Sequence, residues 1–181
     1  ASCAAIVEAC HDAGIPPGVV NYVTGNSSMI ARHLVTSPIV RKISVTGSVP
    51  VGKEILHLAA DGVKKVSMEL GGHAPVIVFD DADPAAAAAA CAATKFRNCG
   101  QVCISPSRFY VHESVYDAFA DGFASAAKAI RVGRGLDEGV QMGPMANARG
   151  RDTIDRLVND AMERGAELLA GGQAPKDFNR G

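Results

Sequence analysis

Strand-like and helix-like segments alternate along the first 67 residues of this chain. Strands are predicted at 19–23, 42–45 and 64–69, the first of them between Gly18 and Gly25. Helical patterns precede or separate them at 4–13, 28–34 and 51–60. Because strands that are connected through helices pair in parallel, this alternation predicts a doubly wound, parallel α/β sheet.

The remainder of the chain also mixes the two patterns. Asp83 followed by Pro84 predicts the start of an alanine-rich helix that runs to about residue 98, where Gly100 interrupts it. Ser114 is the predicted cap of a further helix that reaches residue 130. The other predicted elements are strands at 75–79, 108–112 and 167–170, a glycine-rich loop at 133–144 and a helix at 148–164.

Two adjacent glycines, Gly71 and Gly72, mark the predicted domain boundary. Neighbouring glycines let the backbone turn freely between two lobes. We therefore predict a first domain over residues 1–68 and a second over residues 69–181.

Composition excludes several classes of protein. A net charge of −1 gives no electrostatic reason to bind nucleic acid or an anionic membrane, and no apolar run is long enough to span a bilayer. Five cysteines, an odd number without a Cys-x-x-Cys pair, disfavour a disulfide framework or a zinc site. The five histidines are scattered, so we predict no bound metal. No signal peptide is recognised, and we expect a reducing, cytoplasmic location.

A short glycine- and hydroxyl-containing turn lies between the predicted strand at 42–45 and the helix at 51–60. It reads Thr46-Gly47-Ser48, with Val51 and Gly52 on the following helix. Backbone N–H groups at a helix start, together with a small hydroxyl, can bind a phosphate. The same residues also suit an ordinary serine-capped turn.

A carboxylate and a thiol form the most specific chemical pattern. Glu69 begins Glu-Leu-Gly-Gly, and Cys103 ends Gly-Gln-Val-Cys 34 residues further on. A thiolate can attack an aldehyde carbonyl, and a carboxylate can activate the water that hydrolyses the resulting thioester. Taken singly, a glutamate at a strand end is usually a solvated charge, and Cys99 and Cys103 could both be small buried apolar residues.

Together, these motifs closely resemble those of the aldehyde dehydrogenase superfamily over nearly the whole chain. The resemblance implies an α/β fold, with residues 1–68 in the second half of an NAD(P)-binding domain and residues 69–181 in the first part of the catalytic domain. It identifies Cys103 as the nucleophile and Glu69 as the general base. It implies NAD or NADP as cofactor, bound near the positions that match the family's motifs: Gly25, Thr46, Gly47, Ser48, Val51, Gly52, Leu70 and Gly71.

Arg97 lies in Phe-Arg-Asn, which resembles the succinate-semialdehyde dehydrogenase branch. There the arginine helps bind the distal carboxylate of the substrate, and a guanidinium group suits that role. The resemblance thus implies an acidic semialdehyde, and a homo-oligomer for the full-length enzyme. Family members are considerably longer, so we expect an internal fragment. Two alternatives are a fragment without turnover and a thiol redox module built from Cys99 and Cys103.

Overall fold

The computed structural model describes residues 2–175, which form two compact units that meet in sequence at Leu70 and Gly71. Among these residues the first unit contains three helices and two strands: α1 (Ser2–Asp12), α2 (Ser27–Thr36), β1 (Lys42–Gly47), α3 (Val49–Ala60) and β2 (Lys65–Leu70). The second contains β3 (Pro75–Val78), α4 (Pro84–Lys95), a 3₁₀ turn (Arg97–Gly100), β4 (Arg108–Val111), α5 (Glu113–Lys128) and α6 (Ala148–Glu163).

In the first unit, β1 and β2 pair in parallel and α3 connects them. Their register runs from Lys42 opposite Lys65 to Gly47 opposite Leu70. Parallel neighbours need such a crossover, because a tight hairpin can join only antiparallel strands. Val35 and Ile55 are buried between the helices and one face of the strand pair. Each such side chain stabilises the unit by roughly 1.5–3 kcal/mol.

In the second unit, β3 and β4 also pair in parallel, and α4 packs against α5. The alanine run on α4 has a packing role, since Ala88 is 1% exposed and lies within the core. A Cβ placed on Gly122 of α5 would lie 3.1 Å from the Ala88 Cβ. Small residues on both helices therefore allow their backbones to approach closely, and phenylalanine rings complete the core.

The α/β class and the parallel pairing are confirmed, as is the Asp83 cap, whose side chain accepts from the backbone N–H groups of Ala85 and Ala86. The Ser114 cap is wrong. The N-cap of α5 is His112, whose side chain accepts from the Ser114 N–H. An imidazole nitrogen acts here as the capping acceptor, a residue type that the usual capping preferences do not favour.

Two predicted strands are absent from the described residues. The segments 19–23 and 167–170 have no strand conformation and no paired neighbour. Val19 and Val23 are 66% and 68% exposed. An apolar run forms a strand only where another strand satisfies its backbone hydrogen bonds, so the local pattern alone overpredicted both segments.

Candidate active site

The turn after β1 leaves a hydroxyl group free beside the start of α3. Ser48 is the N-cap of α3, yet its hydroxyl makes no capping hydrogen bond. Its carbonyl accepts from the Gly52 N–H at 2.9 Å, so the helix is regular from its first turn. In that turn the Val49 and Val51 N–H groups lack intrahelical acceptors by geometry, Pro50 has no N–H, and the exposed Ser48 hydroxyl stands beside them. These groups fit a phosphate of a dinucleotide.

A side chain at position 52 would require Leu70 to move. A Cβ at this position would lie 2.8 Å and 3.0 Å from the two terminal methyl carbons of Leu70. Leu70 thus packs directly on the first part of α3. Gly47 differs, since a Cβ there would meet only ordinary contacts at 3.9 Å with Val45 and Val51.

The strand register places Thr46 opposite Glu69. Val45 and Met68 pack against the core beneath α3. Because successive side chains of a strand point to opposite faces, Thr46 and Glu69 share the face away from α3. Both are exposed, and Glu69 forms no ion pair among the described residues. Two residues that the sequence analysis assigned to cofactor and base are therefore neighbours.

The remaining cofactor candidates lie at turns. Gly25 precedes α2, whose cap Asn26 accepts from the Met29 N–H at 3.0 Å. Gly71 begins the second unit, and nothing lies within 4 Å of a Cβ built on it. Glu69 belongs to the first unit and Cys103 to the second.

The helix predicted to reach residue 98 ends at Lys95, and a tight turn then leads to Cys103. Asn98 and Cys99 have φ values of 51° and 57°, and Gly100 has φ 74°. The left-handed conformation is costly for a residue such as cysteine, so local contacts must stabilise it. The Asn98 amide donates to the Gln101 carbonyl at 3.2 Å, and the Gln101 Oε1 accepts from the Ala146 N–H at 3.2 Å.

The two thiols of this turn have different surroundings. Cys103 is exposed. Cys99 is half-buried, its Sγ donates to the Gly143 carbonyl at 3.0 Å, and burial raises the pKa of its thiol. A nucleophile needs to be a thiolate and to be accessible, so these surroundings favour Cys103. Both are free thiols in the structure.

The turn also has polar neighbours that the sequence analysis missed. Lys95 Nζ lies 3.3 Å from the Ser107 hydroxyl and 3.5 Å from the Ser105 hydroxyl. The His73 carbonyl accepts from the Ser107 N–H at 3.0 Å. A Cβ on Gly72 would lie 3.9 Å from the Cys103 carbonyl oxygen. Gly72, the last residue of the Glu-Leu-Gly-Gly motif, therefore lies beside the Cys103 turn.

Arg97 begins the 3₁₀ turn and is exposed. No carboxylate pairs with its guanidinium group within the described residues. The side chain is thus accessible to a soluble anion.

Comparison with known proteins identifies the class. The Aldehyde dehydrogenase family matches residues 1–181, and the chain belongs to this family. It is 47% identical to 3-sulfolactaldehyde dehydrogenase of Pseudomonas putida, covering 95% of this chain and 35% of that protein. It is 43% identical to the Escherichia coli K12 succinate-semialdehyde dehydrogenase (NADP(+)) GabD, covering 96% of this chain and 36% of that one.

A solved structure gives the same result. The crystal structure of succinate-semialdehyde dehydrogenase from Burkholderia pseudomallei superposes with a TM-score of 0.93 at 44% identity, over 95% of this chain and 36% of that one. The chain thus spans about a third of the length of these relatives. None of the helices within residues 2–175 is long and apolar enough to cross a membrane. The same residues contain no cluster of three potential metal ligands.

Proposed function

We propose that this chain forms part of an NAD(P)-dependent aldehyde dehydrogenase that oxidises an acidic semialdehyde to the dicarboxylic acid. The observation that carries the proposal lies within the second unit, where Gly72, the last residue of the glutamate motif, lies beside the turn of the exposed Cys103. Family membership and the two relatives above support the class of reaction.

In this proposal the residues around β1 and α3 hold the cofactor. The Ser48 hydroxyl and the first N–H groups of α3 bind a phosphate, and Gly47, Val51 and Gly52 line the approach. Thr46, Leu70, Gly71 and Gly25 complete the proposed set. NAD or NADP would supply the acceptor for the hydride that leaves the substrate.

Cys103 is the proposed nucleophile. Its Sγ bonds to the aldehyde carbon, and the carbonyl oxygen becomes an oxyanion that the Cys103 N–H stabilises. Loss of hydride from this thiohemiacetal leaves a thioester. The nearby Asn98 amide already donates to the Gln101 carbonyl, so a side-chain oxyanion donor has to come from elsewhere.

Glu69 completes the cycle in this scheme. Its carboxylate takes a proton from water, and the hydroxide adds to the thioester carbon. The C–S bond breaks, the carboxylic acid is released, and the Cys103 thiolate returns. The exposed, unpaired position of Glu69 at the end of β2 suits a group that works on solvent water.

Arg97 is the proposed specificity residue. An exposed guanidinium without a carboxylate partner can bind the distal carboxylate of the substrate through charge-assisted hydrogen bonds. Succinate semialdehyde and the sulfonated aldehyde named for the Pseudomonas putida relative both carry an anionic end. We expect the whole enzyme to be a cytoplasmic homo-oligomer.

The test uses the full-length enzyme, succinate semialdehyde and either cofactor. Cys103→Ala should abolish formation of NAD(P)H, whereas Cys99→Ala should retain most of it. Glu69→Gln should lose on the order of 10²-fold or more in turnover and accumulate a succinyl adduct on Cys103, which intact-protein mass spectrometry detects. Glu163→Gln, an exposed carboxylate on α6, is the matched control. Full activity in Cys103→Ala would overturn the proposal.

Two observations favour the second candidate, a fragment without turnover. The chain covers about a third of its relatives' length, and the Asn98 amide is already engaged. A calorimetric titration of the 181-residue chain with NAD(P) separates the two readings, because an incomplete site should bind weakly or not at all.

A further inference from the structure

We propose that Lys95 is a positioning residue for the nucleophile, acting through Ser105 and Ser107 to fix the turn that carries Cys103. The inference rests on the proposed role of Cys103. It concerns the last residue of α4.

Lys95 both donates hydrogen bonds to the residues after Cys103 and accepts one from them. Its ammonium donates to the Ser107 hydroxyl at 3.3 Å and to the Ser105 hydroxyl at 3.5 Å. The Ser105 hydroxyl in turn donates to the Lys95 carbonyl at 3.2 Å. Ser105 is 3% exposed, so the cluster is held inside the second unit. The end of α4 is thus tied at two points to the chain after Cys103.

The surroundings of Lys95 are unusual for a lysine. The side chain is half-buried, and no carboxylate pairs with it among the described residues. Burial lowers the pKa of its ammonium group. A half-buried cation with only hydroxyl partners opposes folding, and a methionine would fill the space at less cost. Its three N–H donors therefore point to a role in holding the two serines.

Cys103 lies in a tight turn directly before the two serines that Lys95 contacts. The Ser105 N–H donates to the Val102 carbonyl at 2.9 Å, which closes a tight turn with Cys103 inside it. The Ser107 N–H donates to the His73 carbonyl, next to Gly72. Lys95 therefore anchors the point at which the Cys103 turn meets the segment that follows Glu69.

Gly100 shows how closely the turn passes over this lysine. A Cβ on Gly100 would lie 3.3 Å from the Lys95 carbonyl and 3.5 Å from Lys95 Nζ. There is little room for a bulkier cation, so Lys95→Arg is a poor rescue variant. The serines provide the better partner variants, because Ser107 is exposed and its hydroxyl can be removed without leaving a cavity.

A displaced turn should affect the chemical step more than binding. The Cys103 Sγ and N–H must both meet the same carbonyl group, and a displacement of about 1 Å can cost on the order of 10²-fold in rate. The proposed phosphate contacts lie at the start of α3, and Arg97 precedes the segment 102–107 that the two serines hold. Loss of the Lys95 contacts should therefore lower kcat and leave KM nearly unchanged.

The experiment compares four variants of the full-length enzyme: Lys95→Met, Ser107→Ala, the double variant, and Lys128→Met as an exposed lysine control on α5. We expect kcat to fall on the order of 10- to 100-fold in Lys95→Met, with KM within about threefold. Ser107→Ala should show a smaller fall, and the double variant should be no more than about twofold below Lys95→Met, because the two residues act together. Lys128→Met should match the wild type.

Hydrogen–deuterium exchange of the peptide that contains residues 102–107 gives a readout independent of activity. Exchange should quicken in Lys95→Met and Ser107→Ala but not in Lys128→Met. Unchanged exchange, an unchanged kcat, or additive losses in the double variant would each overturn the proposal. If Lys95→Met fails to fold, Ser107→Ala alone decides by the same criteria. If Cys103→Ala proves active, the proposed function fails, and exchange still reports whether Lys95 holds the turn.

Discussion

The close contact between Gly52 and Leu70 yields a prediction with two opposing terms. Gly52→Ala would gain about 1 kcal/mol of helix propensity inside α3. The added Cβ would, however, lie 2.8 Å and 3.0 Å from the two terminal methyl carbons of Leu70, with Cγ at 3.5 Å. Rotation about the Leu70 Cβ–Cγ bond can turn the Cγ hydrogen toward the new atom and relieve part of this overlap. Overpacking of this kind costs about 1–3 kcal/mol.

The net expectation is a loss of about 0–2 kcal/mol in the free energy of unfolding, or up to several degrees in Tm. Differential scanning fluorimetry measures it, with Gly135→Ala as the control, since nothing lies within 4 Å of a Cβ at Gly135. Leu70→Val removes the clashing methyl carbons, so it should cost less in the Gly52→Ala background than alone. A Tm rise in Gly52→Ala equal to the full helix-propensity gain would refute the assigned contact.

Three further predictions follow from the second unit and from the chain as a whole. Arg97→Ala should lower kcat/KM for succinate semialdehyde by an amount that corresponds to about 1.5–3 kcal/mol of lost transition-state stabilisation. The loss should be much smaller for an uncharged aldehyde of similar length, and equal losses would show that the arginine is purely structural. Iodoacetamide at mildly alkaline pH should modify Cys103 well before Cys99, because burial raises the pKa of the Cys99 thiol and leaves less thiolate, as peptide mass mapping would show. The 181-residue chain alone should form no NAD(P)H with succinate semialdehyde, and robust turnover by a homogeneous sample would contradict the proposal of an incomplete site.

Helices with local signals were predictable from the sequence. Asp83 followed by Pro84 placed the start of α4 correctly, and α3, α5 and α6 lie close to their predicted ranges. The segments at 19–23 and 167–170 failed for a non-local reason. Whether an apolar run becomes a strand depends on a neighbour that satisfies its backbone groups, and no local pattern encodes that neighbour.

The cluster around Lys95 illustrates the same limit at the site. A lysine in the last turn of a helix is the ordinary expectation, since a cation there interacts favourably with the helix dipole. Its actual partners, Ser105 and Ser107, are brought back to it by the left-handed turn at Asn98 and Cys99. In the sequence, only Gly100 indicated that the chain changes direction after α4. The predicted helix therefore ran about one turn too far, to residue 98, and concealed the contact.

The position of Glu69, by contrast, follows from the hydrophobic pattern of β2. Val66 and Met68 pack on the core beneath α3, and Leu70 packs on Gly52 of that helix. Side chains alternate along a strand, so Glu69 must face away from α3. A register shift of one residue would turn Glu69 toward the core and expose the apolar residues, at the cost of burying an unpaired carboxylate. The packing that stabilises the first unit is therefore also what presents the proposed base to solvent, beside Thr46 on the same face.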